Sequence, residues 1–375
     1  MSAPKIRPIA PPGPDEIPDQ AQKGRGAVSN RPGRYEPGDR PREDDGWHWQ
    51  DEEEAPKLKT TVTIDRTKSI IARNDSPDIA FDQSINPYRG CEHGCIYCFA
   101  RPTHAYLGHS PGLDFESRLY MKPNAAKLLE AELAKPGYKP RVIAMGTNTD
   151  PYQPIERGHR ITRQILEVLD AHNHPVGITT KSANVLRDAD ILGAMAQRGL
   201  AKVYISITTL DRELCRTMEP RASTPELRLK AIAGLKAAGV PVGVSVAPII
   251  PALTDMEIEQ IIERAAEAGA EWANWTLLRL PLEIKDLFVE WLNAHAPLKA
   301  EHVMNLVKDI HGGQIYRAEF GQRMTGSGAY ADLIRQRVQM AAKRFNLNDR
   351  YRFDVDCTQF KVPKKPSPQG DLFDF

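Results

Sequence analysis

The chain has 375 residues, enough for one large α/β domain with appendages, and its 50 Lys and Arg against 49 Asp and Glu leave a formal net charge of +1 at pH 7. That balance excludes a global field for a polyanionic partner and confines any nucleic-acid contact to a local patch. No stretch approaches the roughly eighteen apolar residues of a membrane span, and the opening MSAPKIRPIAPPGPDE lacks the apolar core of a signal peptide, so a cytoplasmic protein without membrane contact is expected.

In chain order, residues 1–60 hold ten of the 30 prolines and the charge runs Arg40–Asp45 and Asp51–Glu54. With little apolar periodicity to offset its ordering entropy, this segment is expected to be mostly disordered. Arg34-Tyr35 and the pair Trp47/Trp49 are its candidates for clipping onto the domain. Residues 61–295 are expected to form the main domain. Within it, a strand near Ile79–Phe81 and apolar runs at Val142–Met145, Val176–Thr180, Val203–Ile207, Val242–Ala247 and Trp272–Leu278 alternate with helical patterns near 124–135, 160–172, 184–198, 225–238 and 255–268. Several of these helices run into glycine, at Gly199, Gly239 and Gly269. About six βα units of this kind build a parallel sheet or partial barrel, an α/β fold. Helical patterns near 283–294, 299–310 and 328–345 follow, giving a helical extension over 296–360, and 361–375 read as a flexible Pro- and Lys-rich tail.

Five cysteines are too few and too unevenly spaced for a disulfide framework. Cys91, Cys95 and Cys98 sit in one loop at spacing C-x3-C-x2-C. Soft thiolates in this compartment select zinc or iron–sulfur. A structural zinc site wants four closed ligands, which His93 or His104 would complete as a Cys3His set. Three thiolates on a cubane instead leave one iron open for a ligand.

The C-x3-C-x2-C loop with an aromatic before its last cysteine, Tyr97, resembles the signature of the radical S-adenosylmethionine (SAM) superfamily. The resemblance implies a partial (β/α)6 barrel whose [4Fe-4S] cluster is held by Cys91, Cys95 and Cys98. Its open iron chelates the amino and carboxylate groups of SAM, and one electron, from a donor such as flavodoxin or ferredoxin, releases a 5′-deoxyadenosyl radical. Ligand groups in βα folds collect at the C-terminal ends of strands. There the sequence offers Gly146 to Glu156 after the 142–145 run, Thr179 to Ser182 after the next, and Ser206 to Thr208 after the third. Within the superfamily these stretches are similar to spore photoproduct lyase and the DNA repair photolyase-like group over roughly residues 85–280. That likeness implies SAM contacts from Thr149, Asp150, Lys181 and Ser206, with Tyr97 beside the cluster, and a lyase acting on a DNA lesion or modified base; Gly146 joins the cofactor set because a glycine lets backbone approach a ligand. Thr149-Asp150 before Pro151 is equally an ordinary turn or capping sequence, and Lys181 equally a buried ion-pair partner. Tyr152, Gln153 and Glu156 are candidates for shaping a substrate pocket, and Arg279 in Arg279-Leu280-Pro281 for an anion contact at the barrel mouth.

One departure stands out. Spore photoproduct lyase carries a hydrogen-donating cysteine three positions before the family aspartate, where this chain has Thr147, whose O–H bond is too strong for that task. Cys215 is a candidate substitute, against the commoner reading of a buried helical cysteine; Cys357 has no expected catalytic part. The tail Gln369-Gly370-Asp371-Leu372-Phe373 resembles the pentapeptide by which repair enzymes dock on the replicative sliding clamp, presented after Pro366 and Pro368. Tyr316-Arg317 and the run Lys343-Arg344-Phe345 to Arg350-Tyr351-Arg352 are basic and aromatic enough for a nucleic-acid surface, or for solvated helix faces. The competing functions are radical SAM modification of a protein or RNA, and a non-catalytic metal-binding interaction module.

Overall fold

The computed structural model describes residues 21–36, 58–348 and 355–363. Trp47, Trp49, Arg350 to Arg352 and the clamp-like Gln369, Leu372 and Phe373 lie outside the described residues. The strands in chain order are β1 (Thr61–Ile64), β2 (Ile71–Arg73), β3 (Gln83–Ile85), β4 (Tyr88–Arg89), β5 (Arg118–Met121), β6 (Ile143–Met145), β7 (Val176–Thr180), β8 (Ala201–Ser206), β9 (Val242–Ile249) and β10 (Trp272–Leu277). A sheet of order β10-β9-β8-β7-β6-β3-β2 has six consecutive parallel strands, and β2 adds antiparallel to β3 at one edge. This is the expected partial (β/α)6 barrel. A second sheet of order β1-β5-β4 lies apart from it.

The helices are α1 (Leu113–Ser117), α2 (Ala125–Leu133), α3 (Glu156–His159), α4 (Ile161–Ala171), α5 (Ala189–Ala196), α6 (Arg212–Met218), α7 (Pro225–Ala237), α8 (Ile258–Glu267), α9 (Ile284–His295), α10 (Pro297–Ile310) and α11 (Ala329–Arg344). Their apolar stripes carry the packing. In α8, Ile258, Ile261, Ile262 and Ala265 recur at helical spacing and are fully buried. Strand β9 is buried on both faces over Val242–Val246, whereas β7 and β8 alternate fully buried with half-buried positions. Each fully buried Ile or Leu contributes about 1.5–3 kcal/mol against the unfolded chain. Among the described residues no helix is long and apolar enough to cross a membrane.

The first parallel strand is Gln83–Ile85 rather than Ile79–Phe81. Its Gln83 and Ser84 are polar yet buried between β2 and β6, so the apolar run marks the approach to the strand and not the strand. Residues 21–36 also depart from the expectation for the N-terminal segment: Ala27 and Ser29 are buried, and Arg34 meets Glu283 in an ion pair at 2.6 Å. Arg34 lies over the rings of Tyr35 and Tyr106, so the Arg34-Tyr35 clip is present. Helices α9 and α10, on either side of the expected boundary at 295/296, share one apolar cluster with Cys95, Ile96 and Tyr97, and its largest side chain is Trp291. That side chain is fully buried, and its indole nitrogen donates to Thr217 O at 3.1 Å.

Candidate active site

Strand β3 delivers the chain to the C-terminal end of the barrel, and β4 pairs with β5 to turn it outward into the cysteine loop. Backbone bonds fix that loop from both sides: Cys91 N donates to Phe115 O at 3.0 Å, Ile96 N to Met218 O at 3.0 Å and Cys98 N to Cys95 O at 3.2 Å. Cys91 and Cys95 are buried and Cys98 half-buried. Burial pushes all three thiols up from their ordinary range. No three His, Cys, Asp or Glu side chains among the described residues converge on a point that suits a single metal ion. His93 turns to Asp150 (3.3 Å) and His104 to Arg118 O (2.8 Å), so the Cys3His zinc alternative finds no built site.

Arg101 staples the loop from behind. Fully buried, it donates to Cys95 O (2.9 Å), Gly94 O (2.9 Å), Pro111 O (3.0 Å) and Gly112 O (2.9 Å), and pairs with Glu116 Oε1 at 2.5 Å. The same carboxylate accepts from Gly26 N (2.9 Å) and Ala27 N (2.8 Å). A side chain at Gly26 would meet Gly94 O at 1.9 Å, so only glycine lets the N-terminal strap lie this close to the cysteine loop.

At the strand ends, Asn86 after β3 accepts from Thr147 Oγ1 (3.2 Å) and Asn148 N (3.0 Å), holding the loop after β6 against the first strand. Thr149 is buried with its hydroxyl on Tyr88 O at 3.4 Å. Asp150 accepts from Tyr152 N (2.8 Å), Thr180 Oγ1 (2.7 Å) and Lys181 N (2.8 Å), and faces His93. Burial alone would raise its pKa, but His93 and these donors hold it at about 2. Its carboxylate therefore ties three loops together and has little acceptor capacity left for a ligand. Gly146, at φ +90°, faces Thr179 O at 1.9 Å from where a Cβ would stand, so its lack of a side chain serves strand packing.

Lys181 leaves β7 and reaches across the barrel top. Its Nζ donates to Ala247 O at 3.3 Å, lies 5.7 Å from the Tyr97 ring centroid and 4.0 Å from Glu219 Oε1. Burial lowers its pKa. Behind it is a network that sequence reasoning missed. Glu219 accepts from Tyr97 OH, from Thr208 Oγ1 (2.8 Å) and from Arg228, and Arg228 also donates to Ser206 O at 3.0 Å. The signal was present in α7, where Arg228 occupies the stripe of Ala231, Ile232 and Leu235 at helical spacing. An arginine on an apolar face needs a buried partner, here Glu219.

Four expected site residues are placed differently. Tyr152 is fully buried in the barrel core, and Glu156 accepts from Tyr88 OH (2.5 Å), Ile161 N (3.0 Å), Thr162 N (3.1 Å) and Arg187 (2.8 Å) at the start of α4. Gln153, also fully buried, bridges Glu92 N (2.8 Å) and Gly90 O (3.3 Å). These three build the scaffold and do not face an open pocket. The Cys215 thiol is enclosed between Glu219 Oε2 and Arg228, each at 3.6 Å, a poor place for a hydrogen donor. Arg279 does stand at the mouth, with its guanidinium 4.7 Å from the ring centroid of Phe99, the residue after Cys98. Cys357 lies near Gly199 at the opposite end of the barrel, where Asp356 N donates to Gly199 O.

Residues 85–265 match the model of the radical SAM superfamily. An uncharacterized protein of Mycobacterium tuberculosis is 35% identical over 287 residues, covering 75% of this chain and 80% of the relative. The chain belongs to the radical SAM superfamily. An uncharacterized protein of Methanocaldococcus jannaschii is 31% identical over 173 residues, 46% of this chain and 62% of its own. Spore photoproduct lyase complexed with dinucleoside spore photoproduct shares the fold, with TM-score 0.55 over 76% of this chain and 78% of the other at 16% identity. A variant of that lyase with bound AdoMet and dinucleoside spore photoproduct has TM-score 0.54 at 17% identity, with the same coverage.

Radical SAM membership implies SAM and an iron–sulfur cluster, and the residues present fit both. Three soft donors in one immobilised loop suit an iron–sulfur cluster, which Cys91, Cys95 and Cys98 would hold. Lys181 and the backbone at Gly146 and Ser206 border the same end of the sheet.

Proposed function

We propose that this chain is a [4Fe-4S] radical SAM enzyme whose substrate is a lesion or modified base in nucleic acid. The observation that carries the reading is the shared fold over 76% of the chain with a lyase that binds a dinucleoside photoproduct, a fold-level analogy joined to the cysteine loop at the same end of the barrel. Cys91, Cys95 and Cys98 hold the cluster. When bound, the cluster and SAM supply reductive cleavage to a 5′-deoxyadenosyl radical, with the electron coming from a flavodoxin- or ferredoxin-type donor. Lys181 pairs with the SAM carboxylate, the Tyr97 ring and the Ser206 strand end enclose the cofactor, and Thr149 and Asp150 act by fixing the loop that carries Gly146. The Glu219–Arg228 pair holds the Tyr97 phenol and the Lys181 stem in place and excludes water behind them.

The resemblance sets Thr147 where that lyase carries its donor cysteine, and the Thr147 hydroxyl donates to Asn86, so on this reading the chain ends its reaction by another route. The substrate is a different lesion or base, or the product radical is quenched elsewhere. The test is anaerobic turnover with SAM, reductant and oligonucleotides deuterated in the nucleosides. Deuterium in 5′-deoxyadenosine supports the reading. Deuterium arriving only from labelled cell protein would replace it.

A further inference from the structure

We propose that Arg279 and Phe99 form a nucleotide subsite beside the cysteine loop, the guanidinium gripping a backbone phosphate and the ring stacking a base; this rests on the nucleic-acid reading above. Two cations lie over two rings on either side of Cys98. Lys181 sits 5.7 Å from the Tyr97 centroid and Arg279 sits 4.7 Å from the Phe99 centroid. The first pair is enclosed, with Tyr97 7% exposed, whereas Phe99 is 45% exposed and its ring opens to solvent next to a cluster ligand.

Arg279 is built to hold its position. Its neighbours Leu278 and Leu280 are buried, Leu278 N donates to Ile249 O at 3.0 Å, and His311 Nε2 bonds Leu278 O at 3.1 Å. Among the described residues its guanidinium has neither a hydrogen bond nor an ion pair, although the side chain is half-buried. Nearby Arg323 differs, because Asp78 and Ser76 each take it at 2.6 Å. A partly desolvated guanidinium without an acceptor is costly, and an oxyanion relieves that cost with two parallel hydrogen bonds. Both the SAM carboxylate and a phosphate are oxyanions. Lys181 already stands on the enclosed Tyr97 side, where the cofactor belongs, and an exposed ring under a guanidinium that has no acceptor among the described residues is the arrangement that binds a base together with its phosphate.

The probe is a fluorescein-labelled short single-stranded oligothymidylate, read by anisotropy with the reconstituted holoenzyme, while SAM affinity is measured by equilibrium dialysis. Arg279→Gln is expected to weaken oligonucleotide binding about tenfold, and Arg279→Lys, which keeps the charge and loses the fork, by a smaller factor. Phe99→Leu is expected to weaken it roughly fivefold through lost stacking. A probe with neutral methylphosphonate linkages should bind wild type and Arg279→Gln alike, and SAM affinity should stay within about twofold in all variants. Equal phosphodiester binding by wild type and Arg279→Gln overturns the subsite, and so does a large loss of SAM affinity, which would give Arg279 to the cofactor carboxylate. A wild-type holoenzyme that binds no oligonucleotide instead removes the nucleic-acid reading itself, and the subsite with it.

Discussion

At the C-terminal ends of the barrel strands the chain buries ions, with Arg101 against Glu116 and Arg228 against Glu219, each at 1% exposure or less. At the N-terminal ends it packs neutral rings instead, buried His174 among them. There the segment 355–363 returns to lay Phe360 against Tyr138 and His174, with ring centroids 5.4 Å and 5.6 Å away, and Lys361 N donates to His172 O at 2.9 Å. Buried ion pairs are poor stabilisers compared with apolar packing, so a fold that needed only stability would place aromatic plugs at both ends. Charge is kept where a loop of three thiols must be held rigid, and where ligand groups collect in βα folds.

The largest effect is expected at the cysteines. Cys91→Ala, Cys95→Ala or Cys98→Ala should each abolish reductant-dependent 5′-deoxyadenosine while circular dichroism stays that of the wild type, because the loop is anchored by backbone bonds and Arg101. Next in size is the staple. Arg101→Met leaves Glu116 buried and unpaired and should cost about 3–5 kcal/mol in urea unfolding of the apoprotein. The double variant Arg101→Met/Glu116→Leu should recover part of that loss, and a double variant as unstable as the single one would show that the pair is no electrostatic unit.

The opposite end is tested by pH. His174, bonded to Tyr138 OH at 2.8 Å, is pushed down to about 4 from 6.5, chiefly by burial. The unfolded chain takes the proton first, so this contribution is complete above about pH 6.5 and is lost as pH falls towards 4, about 3 kcal/mol in all. His104, at the cysteine end, is shifted the same way to about 4, so His174→Gln should remove its own share of the acid-side slope in a pH series of urea midpoints and leave the rest. Smallest of all, Phe360→Ala should cost about 1–2 kcal/mol for a half-buried ring and leave 5′-deoxyadenosine formation unchanged. Reduced turnover in that variant would couple the two ends.

Five of the six parallel strands were legible because their β-branched runs alternate with amphipathic helices of ordinary length, the polar Gln83–Ile85 being the exception, and the cysteine spacing marked the site directly. The small sheet was not, since Thr61–Ile64 shows exposure on both faces and pairs with distant Arg118–Met121. The strap at 21–36 escaped because it is held by hydrogen bonds from Gly26, Ala27 and Arg25 to the buried Glu116 and not by an apolar stripe. Tyr152 and Glu156 misled for the opposite reason. Polar groups following a strand end look like ligands, and only the bonds to Ile161 N, Thr162 N and Arg187 reveal a helix anchor. Glu219 and Arg228 lie nine positions apart in sequence and meet only once α6 and α7 have folded onto β8.

The most direct test of the central claim is anaerobic reconstitution followed by metal analysis and reduction in the presence of SAM. The expected result is a brown protein with about four irons per chain that yields 5′-deoxyadenosine only with reductant, as three thiolates on a cubane with one open iron require. A colourless protein holding a single zinc and yielding no 5′-deoxyadenosine would contradict it.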